Sequence, residues 1–184
     1  MRLLLFGCTG FVGRELLPLL LQAGHQLTVV SRRLARGYDA ERADGRLTWM
    51  QFDPASSSTW ADAGLLDALN QADAVVNLAG EPIAEKRWTP THRQLLETSR
   101  LETTSQLVKA IEDCATPPKL LVNASAIGFY GSSLDKRFLE SSTPGDDFLA
   151  SLCERWEAAA EAVPSAVRQV TLRIGIVLAA DGGA

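Results

Sequence analysis

The chain has 184 residues and a formal net charge of -4, which is enough length for one domain with a sizeable core. Its 46% hydrophobic and 22% charged residues are typical of a globular protein, and without a visible basic stripe no nucleic-acid partner is expected. Three widely spaced cysteines indicate a reducing cytoplasm rather than a disulfide framework. No apolar run is long enough to span a bilayer, so no membrane partner is expected either.

A strand, a glycine turn and a helix open the chain in direct succession. Arg2 to Phe6 predicts the strand, and the leucines between 16 and 21 predict the helix. Between them, Gly7 permits a tight turn, Gly10 lets the backbone approach a pyrophosphate, and Gly13 lets the helix pack closely. The free N–H groups at the helix start favour phosphate charge. This pattern predicts a dinucleotide site, and a tight turn without a ligand is the less favoured alternative.

The second strand, predicted at 26–30, ends in Ser31, Arg32 and Arg33. In dinucleotide-binding folds an acid at this tip accepts the ribose 2′-hydroxyl of NAD, whereas an arginine accommodates the 2′-phosphate of NADP. No acid is present here, and a guanidinium matches a phosphate bidentately. The tip therefore favours NADP(H), with a solvated strand end as the alternative.

Strands and helices alternate along the rest of the chain. A loop or short irregular helix is predicted at 34–46, and Asp53 either contacts the adenine edge or caps a turn. The other predicted elements are strands at 47–52, 73–80 (the last residues being a small-residue exit from the strand), 119–125 and 169–178, with helices at 60–69, 90–112 and 148–162. This alternation predicts a single α/β domain over residues 1–184, with a doubly wound parallel sheet ordered 3-2-1-4-5-6.

Several blocks carry a more specific resemblance. They are Asn77 to Ile83, Arg87-Trp88, Ser99 to Thr104, Ser125 to Gly131, Trp156 to Ala159 and Arg173 to Leu178. Together they resemble the atypical "epimerase family" short-chain reductases, which are related to sugar-nucleotide epimerases and often carry a division-inhibitor name in photosynthetic lineages. The resemblance implies an NADP(H)-binding Rossmann domain of the extended short-chain reductase type. Such epimerases carry a substrate-binding region after the sixth strand, and most of it is expected to be absent from these 184 residues.

The resemblance also implies a set of cofactor-binding residues. For Arg100 it supplies most of the weight, because an arginine in mid-helix is more often a surface charge. Leu95 is included because it lies on the same predicted helix. The predicted set is Gly7, Thr9, Gly10, Phe11, Val12, Gly13, Ser31, Arg32, Arg33, Leu78, Ala79, Leu95, Arg100 and Val177.

The proton-transfer residues of extended short-chain reductases are not visible. The helix that would carry their Tyr-x-x-x-Lys pair reads Leu149 to Cys153, and Ala126 stands at the position of their serine. Tyr130 is then the candidate acid and Ser125 the candidate for orienting a substrate oxygen, although a tyrosine there is more often a packing residue. Glu81 is a weaker candidate acid, expected near the nicotinamide end.

Two functions stay open after these observations. The first is an NADP(H)-dependent oxidoreductase or epimerase-like protein acting on an unknown small substrate, with nucleotide sugars as one class. The second is a non-catalytic NADPH-binding regulator that acts through a protein partner, for instance in cell or plastid division. An interaction protein without a cofactor conflicts with the glycine turn, and no metal site is predicted.

Overall fold

The computed structural model describes residues 1–33, 38–179 and 182–183. Its main sheet has six strands in the order β3-β2-β1-β4-β5-β6, and every neighbouring pair is parallel. The strands are β1 (Arg2–Phe6), β2 (Gln26–Ser31), β3 (Leu47–Gln51), β4 (Ala74–Asn77), β5 (Leu120–Ala126) and β6 (Arg168–Ile174). This sheet confirms the predicted α/β class and strand order.

In the described residues, five α-helices connect these strands. They are α1 (Phe11–Gln22), α2 (Asp39–Ala43), α3 (Ala63–Gln71), α4 (Pro90–Glu112) and α5 (Phe148–Glu161), with short 3-10 helices at Ser57–Ala61 and Ile127–Tyr130. The start of α4 is as predicted, because Thr89 Oγ1 accepts a hydrogen bond from the backbone N–H of His92 (3.2 Å). Within the described ranges, no helix combines the length and hydropathy that a membrane crossing requires.

Two predicted boundaries are wrong, and each error has a local cause. The helix predicted at 60–69 is split, because Asp62 is extended and its side chain accepts the N–H of Leu65 to start α3 afresh. The strand predicted at 169–178 ends at Ile174, which pairs with the last residue of β5. Beyond it, β7 (Leu178–Ala179) pairs antiparallel with β8 (Gly182–Gly183).

The region predicted as a loop or short helix at 34–46 contains α2, and its residues 34–37 lie outside the described part. Of the two roles predicted for Asp53, the structure contains the turn cap: Asp53 Oδ1 accepts the N–H of Ala55 (3.1 Å). Its backbone carbonyl also accepts the hydroxyl of Thr59 (2.7 Å).

The core lies on both faces of the sheet, because successive side chains of a strand point to opposite faces. Leu4 and Phe6 of β1 are buried with residues of α3 and α4, including Leu65 and Leu107. Leu3 and Leu5 are buried on the other face with residues of α1, including Leu17. Burial on both faces explains why β1 has an almost continuous apolar sequence.

A buried polar cluster joins the last residue of β4 to the middle of β5. Asn77 Nδ2 donates to Asn123 Oδ1 (2.7 Å) and to Thr104 Oγ1 (3.1 Å). Trp156 Nε1 of α5 donates to the same threonine oxygen (2.9 Å). The cluster therefore links β4, β5, α4 and α5 at the sheet edge where ligands of doubly wound folds bind.

Candidate functional site

Two glycines of the first turn are required by close backbone packing. Gly7 has a φ of 77°, and a Cβ there would lie 2.4 Å from the carbonyl carbon of Leu78. A Cβ at Gly13 would lie 2.3 Å from the Cα of Cys8. The turn therefore packs against the exit of β4 on one side and against α1 on the other.

Gly10 differs from its two partners, because a Cβ there would meet only the carbonyl oxygen of Gly7, at 3.2 Å. Thr9 and Gly10 are exposed, and Phe11 and Val12 are half-buried at the start of α1. No side chain of the described residues caps this helix start, whose first N–H groups have no intrahelical partner. The turn thus presents backbone donors beside open space, as an anion site requires.

The end of β2 exposes two guanidinium groups. Ser31 is buried and its hydroxyl donates to the carbonyl of Arg33. The backbone carbonyl of Arg32 accepts from Gln51 Nε2 (3.3 Å), while the Arg32 side chain is 60% exposed. Arg33 is also exposed. Ser31 therefore shapes the local backbone, and Arg32 and Arg33 extend toward solvent.

Glu81, expected near the nicotinamide end, lies against Arg32 at the end of β2. Its Oε2 is 3.5 Å from Arg32 Nη2, and its Oε1 is 3.2 Å from Lys86 Nζ. Its backbone holds it there: its N–H donates to Ser99 Oγ, and its carbonyl accepts from Arg100 Nη2, both at 3.0 Å. The segment after β4 therefore turns toward the end of β2.

Arg100 is buried in the middle of α4, so the interpretation as a surface charge is wrong. Its Nη1 donates to the carbonyl of Leu96 (3.1 Å), and its guanidinium lies 5.2 Å from the ring centroid of Trp156. Burial lowers the pKa of Arg100. A Cβ at Gly80 would lie 2.9 Å from the Arg100 guanidinium carbon, so this arginine shapes the exit of β4.

A cavity of about 600 Å³ lies between α1 and the second half of the sheet. It brings together four predicted cofactor residues, Phe11, Val12, Leu78 and Val177. The other lining residues are Glu15, Leu16, Leu20, Val76, Val122, Leu172, Ile174, Leu178 and Ala179.

The other ten members of the predicted cofactor set lie outside this lining, and Leu95 and Ala79 are the two not yet described. Leu95 lies on the exposed side of α4 with 39% of its surface accessible. Ala79 is buried, and its N–H donates to Asn77 Oδ1 (3.2 Å). The cavity therefore does not gather every residue predicted from the sequence.

Tyr130 lies in a polar network behind the end of β5. Arg173 Nη1 donates to Tyr130 Oη (2.8 Å), and the tyrosine ring stacks on Phe138 with centroids 5.3 Å apart. Ser125 is buried, and its hydroxyl donates to Glu157 Oε1. The two candidate catalytic residues are therefore joined through Glu157 and Arg173 rather than facing each other directly.

The pair formed by Glu157 and Arg173 was given no role in the sequence prediction. Arg173 Nε and Nη2 donate to the two oxygens of Glu157 at 2.9 and 2.8 Å, and the guanidinium lies 3.6 Å from the ring centroid of Phe129. The hydrogen bond with Glu157 raises the pKa of Arg173 further above its usual value. A single arginine inside an apolar strand was the signal available in the sequence.

Helix α5 carries Leu149 and Cys153 where the resemblance to extended short-chain reductases predicts the Tyr-x-x-x-Lys pair. A Cβ at Gly128 would lie 3.4 Å from the Leu149 Cβ, so Leu149 lies close to the segment that follows β5. Cys153 is buried, and burial raises the pKa of its thiol. Neither side chain replaces the tyrosine or the lysine in proton transfer.

Comparison with known proteins agrees with this architecture. A model of the family described as "NAD dependent epimerase/dehydratase family" matches residues 3–153. The human "Epimerase family protein SDR39U1" is 40% identical over 187 residues, covering 100% of this chain and 57% of the human protein. A homologue from Arabidopsis thaliana, described as chloroplastic, is 36% identical and covers 97% of this chain and 49% of its own length.

A solved structure is similar over the whole chain. The crystal structure of human SDR39U1 isoform 2 with NADPH has a TM-score of 0.78 and 36% identity, covering 100% of this chain and 57% of that one. The chain therefore spans about half the length of these relatives.

Proposed function

The chain belongs to the NAD dependent epimerase/dehydratase family, and we propose that it binds NADP(H) at the carboxyl edge of its sheet. The observation that carries this proposal is the exposed Arg32 guanidinium at the end of a β2 strand that has no acid at its tip. The NADPH in the similar human structure supports it.

Each part of the site suits one part of the cofactor. The N–H of Gly10 donates to the carbonyl of Gly7 (3.0 Å), so the backbone donors at the start of α1 are proposed to bind the pyrophosphate. Arg32 and Arg33 are proposed to bind the 2′-phosphate. The apolar lining at Phe11, Val12, Leu78 and Val177 is proposed to contact the cofactor's less polar surfaces. The backbone that presents these groups is held by Gly7, Gly13, Ala79 and Arg100. The edge of the proposed cofactor site is formed by Thr9, Ser31 and Leu95.

The test compares NADPH and NADH binding by calorimetry in the wild type and in Arg32→Ala. Losing a charge-assisted phosphate contact costs about 1.5–3 kcal/mol, so NADPH binding is expected to weaken about ten- to a hundredfold. NADH binding should change little. Arg168→Ala, at the opposite end of the sheet, is the control for lost positive charge. Equal wild-type affinity for both cofactors would contradict the NADP(H) assignment.

For the reaction, we propose an oxidoreductase or epimerase-like activity on an unknown small substrate, with Tyr130 as proton donor. NADPH, when bound, supplies a hydride. A guanidinium carries only hydrogen-bond donors, so Arg173 donates to the Tyr130 oxygen. The hydroxyl hydrogen of Tyr130 is therefore free to bond to another acceptor. Ser125 can donate to a substrate oxygen only if it gives up its bond to Glu157, but it can accept from a substrate hydroxyl while that bond is kept.

A non-catalytic regulator is the second candidate, favoured by Leu149 and Cys153 on α5. A protein that binds NADPH but turns over no carbonyl compound or nucleotide sugar would support this function and a protein partner. The cytoplasmic location inferred from the cysteines also stays a proposal.

A further inference from the structure

Glu81 brings a carboxylate to the end of β2, where no acid follows the strand directly. Its Oε2 lies 3.5 Å from Arg32 Nη2, although Glu81 follows β4 and Arg32 follows β2. The sequence around Arg32 contains no acid, so it predicts a guanidinium without a carboxylate partner. The structure instead places an anion beside the guanidinium assigned to the 2′-phosphate.

The two partners of this contact differ in freedom. Glu81 is buried, with 8% of its surface exposed, and backbone hydrogen bonds to Ser99 and Arg100 hold it on both sides. The Arg32 side chain is 60% exposed and can adopt other rotamers at small cost. A bound phosphate can therefore displace Arg32 from Glu81, whereas Glu81 itself stays in place.

Glu81 is charged when the cofactor arrives. Burial alone would raise its pKa, but the hydrogen bond from Lys86 and the positive charges of Lys86 and Arg32 outweigh burial and lower it. Lys86 contacts Oε1, so Oε2 is the oxygen that faces Arg32. A 2′-phosphate on Arg32 would meet this fixed negative charge at short range, where repulsion is only partly screened.

We propose that Glu81 is a specificity-determining residue that competes with the 2′-phosphate of NADP(H) for Arg32. Glu81 lowers the affinity for NADP(H) but not for NAD(H), which has no 2′-phosphate. It therefore makes the preference for NADP(H) smaller. The inference rests on the proposed NADP(H) site. Arg32 at the end of β2 strengthens binding of the 2′-phosphate, whereas the Glu81 carboxylate after β4 weakens it.

The test is Glu81→Gln, which keeps the size of the side chain and removes its charge. NADPH binding is expected to strengthen about three- to tenfold, and NADH binding to change less than about twofold. The gain should shrink as salt rises. It should also be smaller when Arg32→Ala is present, because the competition for Arg32 is then removed and only direct repulsion is left. Glu85→Gln removes the same charge from an exposed residue nearby and is the matched control.

The Glu81→Gln variant should fold, because the contacts to Ser99 and Arg100 are made by the backbone of residue 81 and not by its side chain. Circular dichroism checks this. A folded variant with unchanged or weaker NADPH binding would overturn the inference while leaving the cofactor site intact. Absence of NADPH binding in the wild type would instead overturn the proposed function, and the inference with it. 2′,5′-ADP against 5′-AMP repeats the comparison with the phosphate as the only difference.

Discussion

Replacing Glu157 with leucine should destabilise the domain far more than removing an ordinary surface charge. The carboxylate accepts three hydrogen bonds, one from the Ser125 hydroxyl and two from Arg173. Its side chain is 7% exposed, and that of Arg173 is 20% exposed. Glu157→Leu therefore leaves a largely buried guanidinium without its counter-ion.

The expected loss of unfolding free energy depends on the hydrogen-bond acceptors that Arg173 retains in the variant. Breaking a buried ion pair by removing one partner costs about 3–5 kcal/mol. Arg173 retains acceptors in Tyr130 Oη and the carbonyl of Glu140, and water reaches part of its side chain. We therefore expect Glu157→Leu to lower the free energy of unfolding by about 2–4 kcal/mol.

Urea denaturation measures this change, and a double variant isolates its cause. Glu157→Leu combined with Arg173→Met removes both charges, and it should be more stable than the sum of the two single losses predicts. Glu97→Gln breaks the ion pair with Arg155, whose two side chains are 33% and 45% exposed, and should cost less than about 1 kcal/mol. A loss below 1 kcal/mol for Glu157→Leu, or strict additivity in the double variant, would refute the reasoning.

Two further predictions concern chemistry. In full-length protein with an identified substrate, Tyr130→Phe should lower turnover about a hundred- to ten-thousandfold without changing NADPH affinity, while Tyr38→Phe should change neither. Unchanged turnover would eliminate Tyr130 as the acid. At pH 8, iodoacetamide should label the half-buried Cys114 before Cys8 and Cys153, because burial raises the pKa of Cys8 to about 12 and keeps it an unreactive thiol. Mass spectrometry reads the sites, and rapid labelling of Cys8 in the folded protein would contradict its burial.

The sequence was sufficient wherever a feature depends on neighbouring residues. The glycine turn, the Thr89-Pro90 helix start and the alternation of strands and helices are local patterns, and the structure contains all three. The end of β6 was predicted wrongly, because the apolar sequence continues to 178 while its partner β5 ends opposite Ile174. A strand ends where its pairing ends, and that depends on residues about fifty positions away in the chain.

The candidate site follows the same division. Arg32 was identified from its place at a strand end, but its contact with Glu81 depends on how the segment after β4 turns, and Arg100 determines that turn from inside α4. From the helix pattern alone, a surface charge was the commoner interpretation of Arg100. That pattern does not identify an arginine whose side chain donates to backbone carbonyls. In the proposed site, cofactor preference therefore depends on a carboxylate that follows β4 as well as on the residues at the tip of β2. Measuring NADPH and NADH binding by Glu81→Gln tests that contribution.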